Sequence, residues 1–206
     1  MSHVLSCAAV TAVLTVVLAL PAAGQRIVGT AEPGPAPDPI LLANDGLFQA
    51  RFASVGDDMF IAGQPTEAGL RELRARGVTT VVNLRMPEEM AKVGFDEAAL
   101  SKALGLAYVH IPMRGTPEHP YGSSELDRFA TTLASARGKV LLHCTVAWRA
   151  SHLWAAYLIQ YRKVPVATAL AQARAINLRD DRPYGGQQPI EGFLGRSVPE
   201  LARPGQ

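Results

Sequence analysis

The chain has little cysteine and little excess charge of either sign. Among its 206 residues only two are cysteine, and the formal net charge is +2. So small an excess, spread along the chain, excludes a broad basic surface, and we expect no nucleic-acid partner. Any attraction for anions must therefore be local. The hydrophobic fraction of 48% is that of an ordinary globular domain with extensions.

Charged residues are also missing near the N-terminus. Residues Val4 to Leu20 form an uncharged apolar run, which Pro21 and the small residues Ala22-Ala23-Gly24 follow. This pattern predicts a signal peptide over residues 1–24 and an exported protein, periplasmic or secreted. An uncleaved N-terminal anchor is the alternative, because the run approaches the length that spans a bilayer. We expect a membrane contact only in that case.

Cleavage would remove Cys7 and leave Cys144 as the one thiol of the mature chain. A single cysteine cannot close an internal disulfide, so it is a buried small side chain, an intermolecular cross-link or a reactive group. The histidines show no metal-ligand spacing, and no second cysteine is left to complete a thiolate site. We therefore expect no metal and no cofactor.

The chain divides by composition into four parts. Residues 25–54 begin with four prolines in seven residues, which predicts an irregular Pro-rich extension. Residues 181–206 are rich in Gly, Pro and Gln and are expected to form a C-terminal tail. In residues 55–180, short apolar runs alternate with segments of helical period. This alternation predicts an α/β domain with a mostly parallel central sheet of about four to five strands, flanked by helices.

The sequence places the elements of this domain in order. The predicted strands are Met59–Ala62, Val78–Leu84, Ala107–Ile111 and Val140–Leu142, and the predicted helices follow Thr66, cover Phe95–Leu104, follow Ser123 or Ser124, and cover Arg149–Tyr161 and Val166–Ala175. The fourth strand is apolar throughout, and we expect it at the centre of the sheet.

The residues that follow this fourth strand carry the chemistry. Ligands of open α/β sheets bind at the carboxyl ends of strands, and a loop that runs directly into a helix directs free N–H groups toward an anion. A thiol in such a loop, here Cys144, ionises readily to the reactive thiolate, and Arg149 adds a planar fork that suits a tetrahedral oxyanion. The predicted anion-binding residues are Thr145, Val146, Ala147, Trp148, Arg149 and Ser151.

Four segments resemble a known family. They are Ile61–Thr66, Thr80–Arg85 with Glu88-Glu89, Tyr108–Pro112, and His143-Cys144 to Arg149. In this order they resemble the bacterial beta-lactamase hydrolase-like phosphatase domain, of the dual-specificity and tyrosine phosphatase superfamily. The resemblance covers about residues 55–178 and implies a phosphatase-like fold. It also implies a cysteine-dependent phosphatase, with Cys144 as nucleophile, Arg149 as oxyanion ligand and His143 ordering the loop.

The loop departs from the superfamily pattern in its length and in one glycine. Four residues separate Cys144 from Arg149 instead of five, a length shared with many rhodanese-type sulfurtransferases, in which Cys144 would carry a persulfide. Ala147 stands where the family usually has Gly, so we expect strain at a backbone position with positive φ. Three hypotheses follow: a phosphatase that forms a Cys144 thiophosphate, a sulfurtransferase, and a catalytically weak anion- or partner-binding module. The substrate is accordingly a phosphate- or sulfur-containing compound.

The general acid of the superfamily is missing as well. It is an Asp in the loop that precedes the nucleophile strand, here residues 113–121, and this loop contains only Glu118 and His119 as plausible acids. Glu118 is the predicted acid, against the alternative of a solvated loop carboxylate.

For several residues in or near the loop, the sequence allows two interpretations of their role. His143 either ends the strand or orders the loop, Ser151 either bonds the Cys144 thiolate or closes a helix turn, and Trp148 either roofs the site or packs in the core. Cys144 itself has the alternative of a buried structural thiol. Arg85 is either at the rim of the site or on the surface, and Glu88 and Glu89 are expected at a solvated helix start.

Overall fold

The computed structural model describes residues 37–179 and 188–202. The predicted signal peptide and the first part of the Pro-rich extension lie outside the described residues. The strands are β1 (Pro39–Leu41), β2 (Phe52–Val55), β3 (Met59–Ala62), β4 (Val78–Asn83), β5 (Ala107–His110) and β6 (Lys139–His143). The helices are α1 (Glu67–Ala75), α2 (Pro87–Met90), α3 (Glu97–Ala103), α4 (Ser123–Ser135), α5 (Trp148–Gln160), α6 (Val166–Ile176) and α7 (Pro189–Leu194), and a 3₁₀ turn covers Pro199–Ala202.

One mixed sheet joins the six strands in the order β1-β2-β3-β6-β4-β5. The four strands from β3 to β5 are parallel, whereas β1 and β2 add an antiparallel edge beside β3. The predicted α/β class with a mostly parallel sheet is therefore confirmed. The sheet is larger than predicted, because β1 and nearly all of β2 come from residues 25–54, which were predicted to form an irregular extension.

β6 lies at the centre of the parallel part, as its uninterrupted apolar sequence predicts. Its neighbours are β3 on one side and β4 on the other. Successive side chains of a strand point to opposite faces, so Leu141 and Leu142 enter two separate cores. Both leucines are fully buried. Because helices cover both faces of the sheet here, the strand is apolar from Val140 to Leu142.

Four residues separate β6 from helix α5, which is the most deeply buried helix among the described residues. Its apolar side chains pack against the sheet and against α6 and α7. From α7, Ile190 and Phe193 enter the same core. The segment that the sequence suggested as a tail therefore contributes a helix to the domain.

Local signals in the sequence set the helix ends. Thr66 caps α1 by accepting a hydrogen bond from the backbone N–H of Gly69 at 3.1 Å, and Asp96 caps α3 in the same way. Helix α4 begins at Ser123, so Gly122 is its N-cap instead of either serine. None of the helices in the described parts of the chain has the length and apolar character needed to cross a membrane.

Candidate active site

The loop that follows β6 contains four residues, Cys144 to Ala147, before α5 begins. Cys144 is 1% exposed and lies at the carboxyl end of the central strand. Its backbone N–H donates to the carbonyl of Ala62, while the His143 carbonyl accepts from Leu84. The cysteine therefore sits where neighbouring parallel strands end together, as its position in the sequence predicted.

Ala147 has the left-handed backbone conformation that the sequence predicted as strained. Its φ is 67°, in a region that L residues other than Gly, Asn and Asp seldom occupy. The residue caps α5, and its carbonyl accepts hydrogen bonds from the backbone N–H of Ser151 at 2.9 Å and from the Ser151 hydroxyl at 2.7 Å. Ser151 thus closes a helix turn, and its hydroxyl is not directed at the thiol.

The outer side of the loop is held against the turn after β3. Gly63 pairs with Val146, and the N–H of Gln64 donates to the carbonyl of Thr145 at 3.0 Å. A Cβ at Gly63 would lie 1.6 Å from the Gln49 carbonyl oxygen and 2.8 Å from that of Thr145. Only glycine permits this approach. On the other side, the side-chain amide of Asn177 donates to the Val146 carbonyl.

Arg149 projects from the first turn of α5 and is 9% exposed. Its guanidinium donates to the carbonyls of Leu84 at 3.2 Å and Met113 at 3.0 Å. The two terminal nitrogens also make a bidentate pair with the Glu89 carboxylate, at 2.8 and 2.6 Å. Burial alone would lower the pKa of Arg149, but the Glu89 hydrogen bonds and the charges of Cys144 and Glu89 outweigh burial and raise it. The arginine is therefore a fixed cation.

Glu89 is the residue of this site that sequence reasoning missed. Its carboxylate accepts hydrogen bonds from the Thr145 hydroxyl at 2.9 Å and from the Met86 N–H at 2.8 Å, besides those from Arg149. Burial alone would raise its pKa, but these hydrogen bonds and the Arg149 charge lower the pKa to about 2. The expectation of a solvated Glu89 is wrong, because the turn after β4 places α2 beside the loop. The neighbouring Glu88 is exposed and pairs with Arg114 at 2.6 Å.

The Glu89 carboxylate explains how the cationic side chain of Arg149 can lie at the N-terminus of α5. A cation at the positive end of a helix is unfavourable unless an anion lies close to both. Glu89 is that anion here. It engages both terminal nitrogens of the guanidinium.

A second buried network lies behind the loop. His143 Nε2 lies 2.8 Å from Glu97 Oε1, and the other oxygen of Glu97 accepts from the side chain of Gln64. Gln64 in turn accepts from Arg85 at 2.6 Å. Burial would raise the pKa of Glu97, but the charge and hydrogen bond of His143, with Gln64 and Arg85, lower it. The ionised carboxylate can only accept, so His143 Nε2 donates the hydrogen of this contact.

This network fixes the orientations of His143 and Arg85. Both are buried, and Arg85 also donates to the backbone carbonyl of Glu89. Arg85 is therefore not exposed on the surface; it ties the Gln64 turn to α2, beside Glu89. His143 anchors the end of β6, which agrees with a loop-ordering role. Asp96 and Glu97 had no signal in the sequence beyond the helix start itself.

Trp148 packs in the core, which is one of the two interpretations that its sequence position allowed. It is 8% exposed and meets the ring of His152 edge-on, with 4.7 Å between the centroids. Burial lowers the pKa of His152 to about 3, so this imidazole is neutral at ordinary pH.

Glu118, the acid predicted from the sequence, is exposed in the loop that leads to α4. Within the described residues its side chain makes no hydrogen bond or ion pair, so the structure does not bring it to Arg149 or Cys144. Residues 37–179 and 188–202 also contain no group of three or more His, Cys, Asp and Glu that could hold a metal ion.

Comparison with known proteins agrees with this geometry. Residues 51–160, more than half of the chain, match the model of the family "Beta-lactamase hydrolase-like protein, phosphatase-like domain". The chain belongs to this family. It is 32% identical over 107 residues to a beta-lactamase hydrolase-like protein of Xylella fastidiosa strain 9a5c, a match that covers 51% of this chain and 24% of the relative. The chain thus spans about a quarter of the length of that relative.

Solved structures show the same fold. A DUF442 protein of Shewanella putrefaciens CN-32 superposes with a TM-score of 0.54 at 24% identity, covering 78% of this chain and 97% of the other. TpbA of P. aeruginosa, as a cysteine-to-serine variant in complex with pTyr, gives a TM-score of 0.55 at 15% identity, covering 80% of this chain and 93% of the other. The sheet and helices are therefore a phosphatase fold, and the resemblance inferred from the sequence is confirmed.

The family and the fold together assign a function class. The chain carries a cysteine phosphatase-like enzyme domain. In this domain Cys144 occupies the loop at the end of the central strand, and Arg149 opens the helix that follows. The roles predicted for the individual loop residues rest on this placement.

Proposed function

We propose that the protein is an exported cysteine-dependent phosphatase that hydrolyses a phosphate ester through a thiophosphate on Cys144. One observation carries the proposal. Cys144 ends the central strand, and the fixed guanidinium of Arg149 projects from the first turn of the next helix, close enough for the charges of the two residues to interact. This combination provides both a nucleophile and preorganised charge for the oxygens of a phosphoryl group.

The chemistry proceeds in two displacements. The Cys144 thiolate attacks phosphorus, so an S–P bond forms while the P–O bond to the leaving group breaks and its oxygen receives a proton. Water then attacks phosphorus, the S–P bond breaks, and inorganic phosphate leaves with the thiolate restored. Arg149 and the loop amides hold the equatorial oxygens throughout, where they lower the energy of both transition states.

Substrate binding involves two groups that are covered in this structure. The Glu89 carboxylate holds both terminal nitrogens of the guanidinium, and the thiol is 1% exposed. A phosphoryl group can still bind the guanidinium through Nε–H and one terminal nitrogen, while Glu89 keeps the arginine in place. Helix α2 is a single turn without a buried residue, so it can move aside without uncovering the core.

A pair of assays tests the proposal. Wild-type protein and the Cys144→Ser variant are incubated with an aryl phosphate and, separately, with thiosulfate and cyanide. We expect phosphate release that Cys144→Ser abolishes and that Arg149→Lys, which loses the planar fork, lowers on the order of 10²–10³-fold. Formation of thiocyanate that depends on Cys144 would favour the sulfurtransferase instead. If neither phosphate nor thiocyanate forms, the hypothesis of an anion-binding module remains.

Export is part of the same proposal. It is supported by the uncharged run Val4 to Leu20 and the small residues that follow it. The N-terminal sequence of the protein recovered from outside the cytoplasm should begin near Gln25. Recovery of the full-length chain in the membrane fraction would support an uncleaved anchor instead.

A further inference from the structure

An open cavity lies beside the turn after β3, and none of the loop residues 144–149 lines it. Its volume is about 670 Å³, which is within the range of small-ligand sites. Its walls come from the segment around Phe48, from the turn and helix start Gln64–Ala68, from Arg85, and from Lys92–Phe95, which joins α2 to α3. The cavity is therefore a candidate binding site apart from the Cys144 loop.

Arg85 is a buried cation in the wall of this cavity, with 7% of its surface exposed. Its terminal nitrogens donate to the side-chain oxygen of Gln64 at 2.6 Å and to the backbone carbonyl of Glu89 at 3.1 Å. Both acceptors are uncharged, and the Nε–H has no partner. Burial lowers the pKa of Arg85, and the charges of Glu89 and Glu97 offset only part of this effect. Because a buried arginine is normally paired, Arg85 lacks an anion in direct contact.

Two further features of the wall favour a negatively charged ligand. Lys92 is exposed, and its ammonium makes no ion pair among the described residues. Glu67 and Ala68 are the first two residues of α1, where the backbone N–H groups have no acceptor within the helix and the helix dipole is positive. The Glu67 side chain is 56% exposed and lies 3.9 Å from Arg71, so its own charge is largely screened.

Much of the remaining wall is apolar. Phe48 is 4% exposed and stacks on the ring of Phe52, so the core fixes its position. Phe95 packs against the same core cluster and remains partly exposed. Pro65 and Val93 add further apolar surface. A ligand with an apolar body removes these surfaces from water while its anionic group meets the cations of the wall.

We propose that this cavity is a second binding site, which takes a small anionic ligand with an apolar body. The carboxylate or phosphate of the ligand lies between Arg85 and Lys92, and its body lies against Phe48 and Phe95. The inference does not rest on the proposed phosphatase function, because no residue of the Cys144 loop lines the cavity.

A charged probe and a neutral probe of the same shape test the site. Isotopically labelled protein is titrated with 2-naphthoate and with 2-naphthamide, and the backbone amide chemical shifts are followed by NMR. We expect saturable shifts at Thr66–Ala68 and Lys92–Phe95 with naphthoate, and much weaker binding of naphthamide. Shifts confined to residues 144–149 would overturn the inference, as would equal affinity for the two probes or no saturable shift.

Two exposed lysines provide a matched pair of variants. Because Arg85 is buried and holds Gln64, the exposed Lys92 is changed instead. Lys92→Glu reverses the charge in the cavity wall, and Lys102→Glu makes the same change at an exposed position of α3 outside the cavity. We expect the dissociation constant of 2-naphthoate to rise at least about tenfold in Lys92→Glu and less than about twofold in Lys102→Glu. Equal effects would show a general influence of charge and contradict the site.

A further titration distinguishes a separate ligand from a second group of the substrate. Phenylphosphonate, which resembles a phosphate ester but is not hydrolysed, is titrated with and without saturating 2-naphthoate. We expect its dissociation constant to stay unchanged, because the cavity and the Cys144 loop share no lining residue. A raised constant would make the cavity part of the substrate site and contradict a second, separate site. If phenylphosphonate shifts no amide of residues 144–149, the proposed function loses support while binding of naphthoate in the cavity stands.

Discussion

At the scale of single residues, Ala147 shows how the short loop is built. The chain must reverse from β6 into α5 within four residues, and a left-handed residue at the helix N-cap provides the turn. Alanine accepts this conformation at a cost of about 1–2 kcal/mol, which glycine would not incur. Because Ala147 is fully buried, its methyl group contributes packing that partly offsets this strain.

Replacing Ala147 by glycine should therefore be unusually mild. Ala150 is an equally buried alanine in α5, and its backbone is helical. Both substitutions remove one methyl group and add backbone freedom, but only Ala147→Gly relieves the positive φ. We expect Ala147→Gly to be about 1–2 kcal/mol less destabilising than Ala150→Gly in chemical denaturation. Equal destabilisation by the two variants would contradict the strain.

Single residues also show which parts of the site can be predicted from the sequence and which cannot. Cys144, Arg149 and Ala147 belong to one continuous segment, so their spacing along the chain shows that they share a loop. Glu89 is 60 residues from Arg149, and its role depends on how the turn after β4 meets that loop. The superfamily pattern predicts an acid at Glu118, whereas the carboxylate that contacts Arg149 comes from a distant segment of the chain.

At the scale of elements, the loop is supported from behind by α3. Glu97, in the first turn of α3, contacts His143 from β6 and Gln64 from the turn after β3. A buried acceptor that is removed leaves its two hydrogen-bond donors unpaired away from water. The position of the Cys144 loop therefore depends on a carboxylate that does not contact the loop itself.

Removing this carboxylate should be costly. We expect Glu97→Ala to lower the free energy of unfolding by about 2–6 kcal/mol, which is about 1–3 kcal/mol for each donor left unpaired. The control is Glu72→Ala, which removes an exposed pair with Arg76 in α1 and should cost no more than about 0.5 kcal/mol. Urea denaturation of both variants measures the difference. A small effect of Glu97→Ala would show that the network does not hold the loop.

At the scale of the whole molecule, the sequence predicted the parallel part of the sheet and its helices because each shows a strong period. The sequence did not predict strand Phe52–Val55 or helix Pro189–Leu194, since short segments among Gly and Pro show no recognisable hydrophobic period. Tertiary packing determines the secondary structure of such segments. Phe193 of α7 is 1% exposed and meets the ring of Tyr121 edge-on.

The C-terminal helix should accordingly be part of the cooperative fold. We expect Phe193→Ala to reduce the free energy of unfolding by about 3–5 kcal/mol, the usual cost of emptying a buried aromatic site. The adjacent Leu194, which is only partly buried, provides the control Leu194→Ala with a smaller effect. Similar losses at both positions would mean that α7 does not pack as described.

The covalent intermediate tests the central claim most directly. Wild-type protein is mixed with an aryl phosphate, quenched within milliseconds, digested, and analysed by mass spectrometry. The account predicts a phosphoryl group on the peptide that contains Cys144, formed at least as fast as phosphate is released and absent from Cys144→Ser. Phosphate release without that modified peptide, or with the phosphoryl group on another residue, would contradict it.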